Sequence, residues 1–247
     1  MIYTFWSVNG GVGKTTLAVN TALKTAIMYP ESKVVLLDFN LFNPDIDLYL
    51  GINKELKYTL EFFVKNQINF KNISKYLIEY KRQKNLKIMP GLYDINFFDK
   101  LNSEHFLTLL EYLKKMFDYI FIDINSSLNI DASFVSINSC DKLLIVGKSQ
   151  YASIRNINRY KSKVLQKMGI ENKIEIIINN FRTGFDKDRI FNALGNEVFF
   201  IENNILVEQS THEGKPFVLL TNKKLRNNIN VVKQLIEKIT TKREGEI

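Results

Sequence analysis

The stretch Ile2-Tyr3-Thr4-Phe5-Trp6-Ser7-Val8-Asn9-Gly10-Gly11-Val12-Gly13-Lys14-Thr15-Thr16 decides the fold. An apolar, aromatic-rich run passes through a glycine-rich turn and continues as Leu17-Ala18-Val19-Asn20, a helical pattern. Glycine lets the backbone wrap tightly enough to turn successive N–H groups toward one point. The helix that follows adds a partial positive charge at the same place. Gly10, Gly11, Val12 and Gly13 are therefore expected to cradle the phosphates of a nucleotide. Lys14 is expected to reach the β- and γ-phosphates as the catalytic cation, Thr15 to ligate Mg²⁺, and Thr16 to touch the α-phosphate. The competing reading is a glycine turn that happens to precede Lys-Thr. It leaves unexplained why strand, glycines, Lys-Thr-Thr and helix coincide.

Outward from this loop, apolar runs alternate with helical-period segments. Expected strands are Ile2–Val8, Val34–Asp38, Leu86–Met89, Tyr119–Ile124, Lys142–Gly147, Lys173–Asn179 and Val198–Ile201. Most are continuously apolar, as parallel strands covered on both faces should be. Expected helices are Lys14–Met28, Leu56–Lys65, Glu104–Phe117, Ala132–Ser139, Ile154–Met168, Lys187–Leu194 and Leu225–Thr240. The alternation predicts an α/β fold, a doubly wound and mainly parallel sheet with helices on both faces. No repeat or Pro/Gly-rich linker interrupts it, so residues 1–247 are expected to form a single domain.

The 247 residues are 45% hydrophobic and 24% charged, the balance of an ordinary globular protein. No apolar run approaches the roughly 20 residues of a membrane span. The first residues lack a basic region and cleavage site, so they read as a strand and a cytoplasmic location is expected. The single cysteine, Cys140, excludes an internal disulfide and any Cys-pair metal site. A net charge of +8 permits attraction to nucleic acid or anionic lipid. A duller account, a genome bias that enriches Lys, Asn, Ile and Phe together, is preferred to a working basic surface.

Ser7 to Thr16 has Val8 where the general phosphate-loop pattern wants glycine, and this double-glycine form resembles the MinD/ParA superfamily of deviant Walker A ATPases. The resemblance extends along nearly the whole chain. Val34 to Asn40 with Asp45 to Gly51 resembles switch I, and Phe117 to Asp123 resembles the Walker B strand leading into switch II. Ile176 to Asn180 resembles the strand whose Asn reads the base, and Ile201 to Pro216 resembles the late loop and Gly-Lys-Pro turn. Leu86-Lys87-Ile88-Met89-Pro90-Gly91 is similar to a strand and turn of the CpaE/TadZ branch, the pilus-associated localisation ATPases. The resemblance implies ATP and Mg²⁺ as cofactors, a nucleotide-stabilised homodimer, and a protein partner in a localisation or pilus/secretion system. It also implies that Asp38 and Asp123, each ending an apolar strand, hold Mg²⁺ with Thr15, and that Asn179 contacts adenine. A strand-end Asp capping a loop, or a strand-end Asn in a turn, is the plainer alternative. Asp45 and Asp47 are expected to cap or to be solvated.

Two substitutions separate this chain from the pattern. The family's signature lysine, which reaches the partner's phosphates across the dimer, is replaced by Asn9. The second acid of switch I, which orients the attacking water, is replaced by Asn40. Switch II lacks its usual glycine and reads Asp123-Ile124-Asn125-Ser126-Ser127. A cationic finger is worth about 10³ to 10⁵ in rate and a general base about 10² to 10⁴. Binding is thus expected to persist with slow or absent hydrolysis, unless Lys148 or Arg182 substitutes. The alternatives are an ATP-dependent small-molecule synthetase of the same superfamily and a DNA-bound partitioning ATPase. The basic residues Arg155, Arg159, Lys161, Lys163 and Lys167 read as a solvated face before a nucleic-acid grip. His105 and His212 lack a second ligand nearby. The last helix carries no bulky aromatic on its apolar stripe, so a MinD-type membrane anchor is not expected.

Overall fold

A computed structural model describes residues 1–52, 60, 70–94, 96, 100–195 and 197–241. The expected helix Leu56–Lys65 falls almost wholly outside these residues. Eight strands are described: β1 Ile2–Trp6, β2 Val34–Phe39, β3 Ile78–Glu79, β4 Leu86–Met89, β5 Tyr119–Ile124, β6 Lys142–Lys148, β7 Ile174–Phe181 and β8 Val198–Glu202. They form one sheet in the order β3-β4-β2-β5-β1-β6-β7-β8. Every pairing is parallel except the short β3 against β4.

The described α-helices are α1 Lys14–Met28, α2 Ile46–Tyr49, α3 Ser103–Lys114, α4 Asp131–Ser139, α5 Tyr151–Tyr160, α6 Lys187–Leu194, α7 Ile205–His212 and α8 Arg226–Thr240. They divide between the two faces because side chains alternate along each strand. Ile2 and Trp6 of β1 join the core beneath α3, α4, α5 and α6, whereas Tyr3 and Phe5 join the one beneath α1 and α8. Being apolar on both faces, β1 sits at the centre of the sheet, between β5 and β6.

That position creates the site. From β1 the chain crosses by α1 to β2 on one side, while β5 leads by α4 to β6 on the other. The connections diverge at the carboxyl end of β1, and the crevice so opened is where doubly wound sheets bind ligands. The glycine-rich loop lies there.

α5 stops as a regular helix at Tyr160 and continues as a π-helical turn, Lys161–Leu165, where one helix to Met168 was expected. α7 occupies a stretch read from sequence as loop. Asn204 caps it, its side chain accepting a hydrogen bond from the Leu206 N–H at 3.0 Å.

Candidate functional site

Gly11 and Gly13 adopt positive φ angles of 66° and 87°, the left-handed conformation the wrapping requires. Nothing lies within 4 Å of a Cβ built on Gly10 or Gly11, so the loop's inner side is open. A Cβ on Gly13 would instead collide with the Asn179 side-chain amide. Asn179 is 5% exposed and its Nδ2 donates to the Val12 carbonyl at 2.8 Å. This bond ties the phosphate loop to β7, and Asn179 does not line the cleft.

The cleft beside the loop has a volume of about 450 Å³. Residues Gly10 to Thr15 form one wall, Asn40, Asn43, Asp45 and Tyr49 a second, and Asn125 and Ser126 a third. Thr16, the last residue of the motif, does not line the cleft. Sequence reading did not single out Ser7 after β1, Asn43 in the β2–α2 loop or Tyr49 in α2, because no spacing there marks which side chains turn inward. Asp45 was expected to cap or to be solvated. It stands at the N-cap of α2, makes no side-chain cap bond, and faces the cleft. Neither Lys148 nor Arg182 reaches the lining.

Beneath the loop, adjacent strands bring two carboxylates side by side, Asp38 of β2 in register with Asp123 of β5. Both are fully buried. Asp123 accepts from Lys14 Nζ at 2.5 Å through one oxygen and from the Thr15 hydroxyl at 2.6 Å through the other. The two side chains expected to serve a nucleotide and its metal thus rest on one acid. Asp38 accepts instead from the backbone N–H groups of Asn40 and Ile46, each at 3.1 Å, and so staples the β2–α2 loop. Burial, and next the Asp123 charge, push the Asp38 carboxyl well above the ordinary carboxylate range.

The donor set fits Mg²⁺ bound together with phosphate. The Thr15 hydroxyl and the Asp123 carboxylate are hard oxygen donors beside an open anion cradle. Among the described residues no group of three or more His, Cys, Asp or Glu side chains could hold a metal alone. Mg²⁺ characteristically takes one or two protein ligands and completes its shell with water and phosphate oxygens. When bound it would neutralise phosphate charge.

The substituted positions are also placed. Asn9 is exposed at the loop's outer edge. Asn40 donates from Nδ2 to the Asn43 carbonyl at 2.7 Å, and its Oδ1 accepts from Asn125 Nδ2 at 3.2 Å. Asn125 Oδ1 in turn accepts from the Ser127 N–H at 2.9 Å. An amide chain therefore bridges the loop after β2 to the loop after β5 at the cleft's mouth. The second loop is anchored from below by Trp6, whose Nε1 donates to the Ser126 carbonyl at 3.0 Å. His105 takes part in a helix cap, its Nδ1 accepting from the Asn102 N–H at 3.3 Å. Cys140 is buried, which pushes its thiol up to about 12.

Comparison with known proteins agrees with this geometry. A family model described as an AAA domain matches residues 2–177. The septum site-determining protein MinD of Synechocystis sp. is 32% identical over 179 residues, 71% of this chain and 63% of that relative's length. The MinD of Pyrococcus horikoshii, solved with Mg-ADP, superposes with a TM-score of 0.79 at 21% identity, covering 98% of this chain and 97% of that one. A chain of the MinC:MinD cell division complex from Aquifex aeolicus gives 0.77 at 24% identity over 99% of each chain.

Proposed function

Since the chain belongs to the MinD/ParA superfamily of P-loop ATPases, we propose that it is an ATP-binding positioning protein that Mg-ATP assembles into a face-to-face homodimer and that turns nucleotide over slowly. The observation that carries the reading is the pairing of Lys14 and Thr15 on Asp123 beside an open phosphate cradle. Phosphate oxygens arriving in the cradle compete for the Lys14 ammonium. Asp123 and the Thr15 hydroxyl would then be the groups to hold Mg²⁺, whose charge would offset that of the phosphates. The Mg-ADP bound by the Pyrococcus horikoshii relative supports the same ligand class here.

Slow turnover follows from what the cleft wall offers. Asn9 supplies no cation to charge spreading over a transferring phosphoryl group. Asn40 cannot accept a proton, and both ends of its amide are already engaged. Assembly is supported by the distribution of exposed apolar side chains. Phe42, Tyr93, Phe134 and Ile205 follow the carboxyl ends of β2, β4, β5 and β8 respectively, and so rim the edge that holds the cleft. A protein partner in a localisation or pilus system, as in the CpaE/TadZ branch, accords with the Leu86–Met89 strand and its Pro90-Gly91 turn.

Light scattering without nucleotide, with Mg-ADP and with Mg-ATP, run beside a phosphate-release assay, tests this. The expected outcome is a dimer only with Mg-ATP and little release. In the dimer, Asn9→Lys with Asn40→Asp is expected to raise release by at least about 100-fold. A monomer under all conditions refutes the assembly. Wild-type release that the double substitution leaves unchanged refutes the account of turnover.

A further inference from the structure

A second cavity, of about 640 Å³, opens between α5, the loop following β7 and α6. Its volume falls within the range of small-molecule sites. Ile154, Ile190 and Ala193 give it an apolar wall. At its edge stand two aromatic rings with faces available to solvent, Tyr151 at 75% exposure and Phe185 at 44%.

Its polar lining keeps hydrogen-bonding capacity to spare. Ser149 lines the cavity and is 5% exposed, so its side chain is reached only from there. Arg155 and Arg189 also line it, and neither forms an ion pair among the described residues. Arg155 reaches only the neutral Asn156 amide, at 3.4 Å. The one acid present, Asp186, uses an oxygen to cap α6, accepting from the N–H groups of Asp188 and Arg189 at 2.9 and 3.1 Å. Its other oxygen can accept from a ligand hydroxyl.

We propose that this cavity is a second ligand site, distinct from the phosphate loop, for a small planar-ring phosphate of the nucleoside monophosphate class. Guanidinium forks match phosphate oxygens two at a time, and Arg155 and Arg189 flank the opening. Tyr151 and Phe185 supply stacking faces for the ring, and Ser149 and Asp186 take the polar atoms between ring and phosphate. The two sites read different parts of a nucleotide. The loop grips β- and γ-phosphates with main-chain amides, whereas this cavity recognises a ring and a single phosphate.

Calorimetric titration of AMP, GMP and inorganic phosphate into the full chain carrying Lys14→Ala, which disables the first site, tests the proposal. The expected result is one-to-one saturable binding of at least one monophosphate, with inorganic phosphate weaker. Adding Arg155→Ala and Arg189→Ala is expected to weaken that binding at least tenfold, and Tyr151→Ala with Phe185→Ala at least fivefold. All four side chains lie at the surface, and circular dichroism checks that each variant is folded; Arg155→Lys with Arg189→Lys is expected to fall between. Absence of saturation with both monophosphates at several millimolar overturns the proposal, as does binding that the arginine variant leaves unchanged. Neither outcome bears on ATP binding at the loop.

Discussion

At Asp38, one carboxyl group serves opposing demands. Its oxygens accept from the Asn40 and Ile46 backbone N–H groups, which favours the ionised form, but burial and the neighbouring Asp123 oppose ionisation more strongly. Its folded pKa is raised, so the folded chain holds a proton that the unfolded chain releases once pH passes the ordinary aspartate value of about 3.9. Stability is therefore lost as pH rises above that value and levels off above the raised one. Denaturant melts of the nucleotide-free protein and of Asp38→Asn across the acid-to-neutral range check this. The wild-type stability relative to the variant is expected to fall with rising pH; a difference that is flat or rises contradicts the sign.

At the scale of elements, the loops after β2 and β5 are joined at the cleft mouth by the Asn40–Asn125 amide bridge. Asn125→Ala removes the donor from a partly buried bond, a loss of about 1 kcal/mol of local stability, so exchange in the other loop should speed roughly fivefold. Hydrogen exchange followed by mass spectrometry is expected to show faster deuteration of residues 40–46 and no change in β7. Equal protection in both proteins would mean that the loops are held separately. Nothing in sequence announces the bridge, since two asparagines 85 positions apart meet only once β2 and β5 are neighbours. What was legible had a local cause. The expected bounds of α1, β4, β5 and α6 agree with the structure, because continuous apolar runs and an Asp186 cap mark them in the chain itself. α7 was missed because its exposed Ile205 and polar Glu208-Gln209-Ser210-Thr211 blur a helical stripe. The π-turn after α5 left no mark in the apolar spacing. Among site residues, the loop, Asp38 and Asp123 could be found by position at strand ends. The bond from Asn179 to the Val12 carbonyl, and the staple Asp38 makes, needed the packed structure.

For the molecule as a whole, the cradle and the loops after β2 and β5 form one pocket above the buried Asp123 in the folded state and have no counterpart in the unfolded chain. Ligand binding must therefore raise global stability. At a hundredfold excess over Kd the gain is about 2.7 kcal/mol. For a chain of 247 residues this corresponds to a rise in Tm of about 5 to 10 °C. Differential scanning calorimetry with Mg-ATP should show it in the wild type and not in Lys14→Ala; an equal rise in both would place the ligand elsewhere.

The central place of β1 has a consequence for biogenesis. Ile2 pairs with Ile120 and Tyr3 with Lys142, so β1 has no neighbouring strand until more than a hundred further residues exist. At ribosomal rates of about 5 to 20 residues per second, Ile-Tyr-Thr-Phe-Trp waits roughly 6 to 24 seconds for a strand beside it, with α1 alone made early enough to cover Tyr3 and Phe5. Until then the Ile2 and Trp6 face lacks its native cover, and slower translation lengthens the time in which it can pair wrongly.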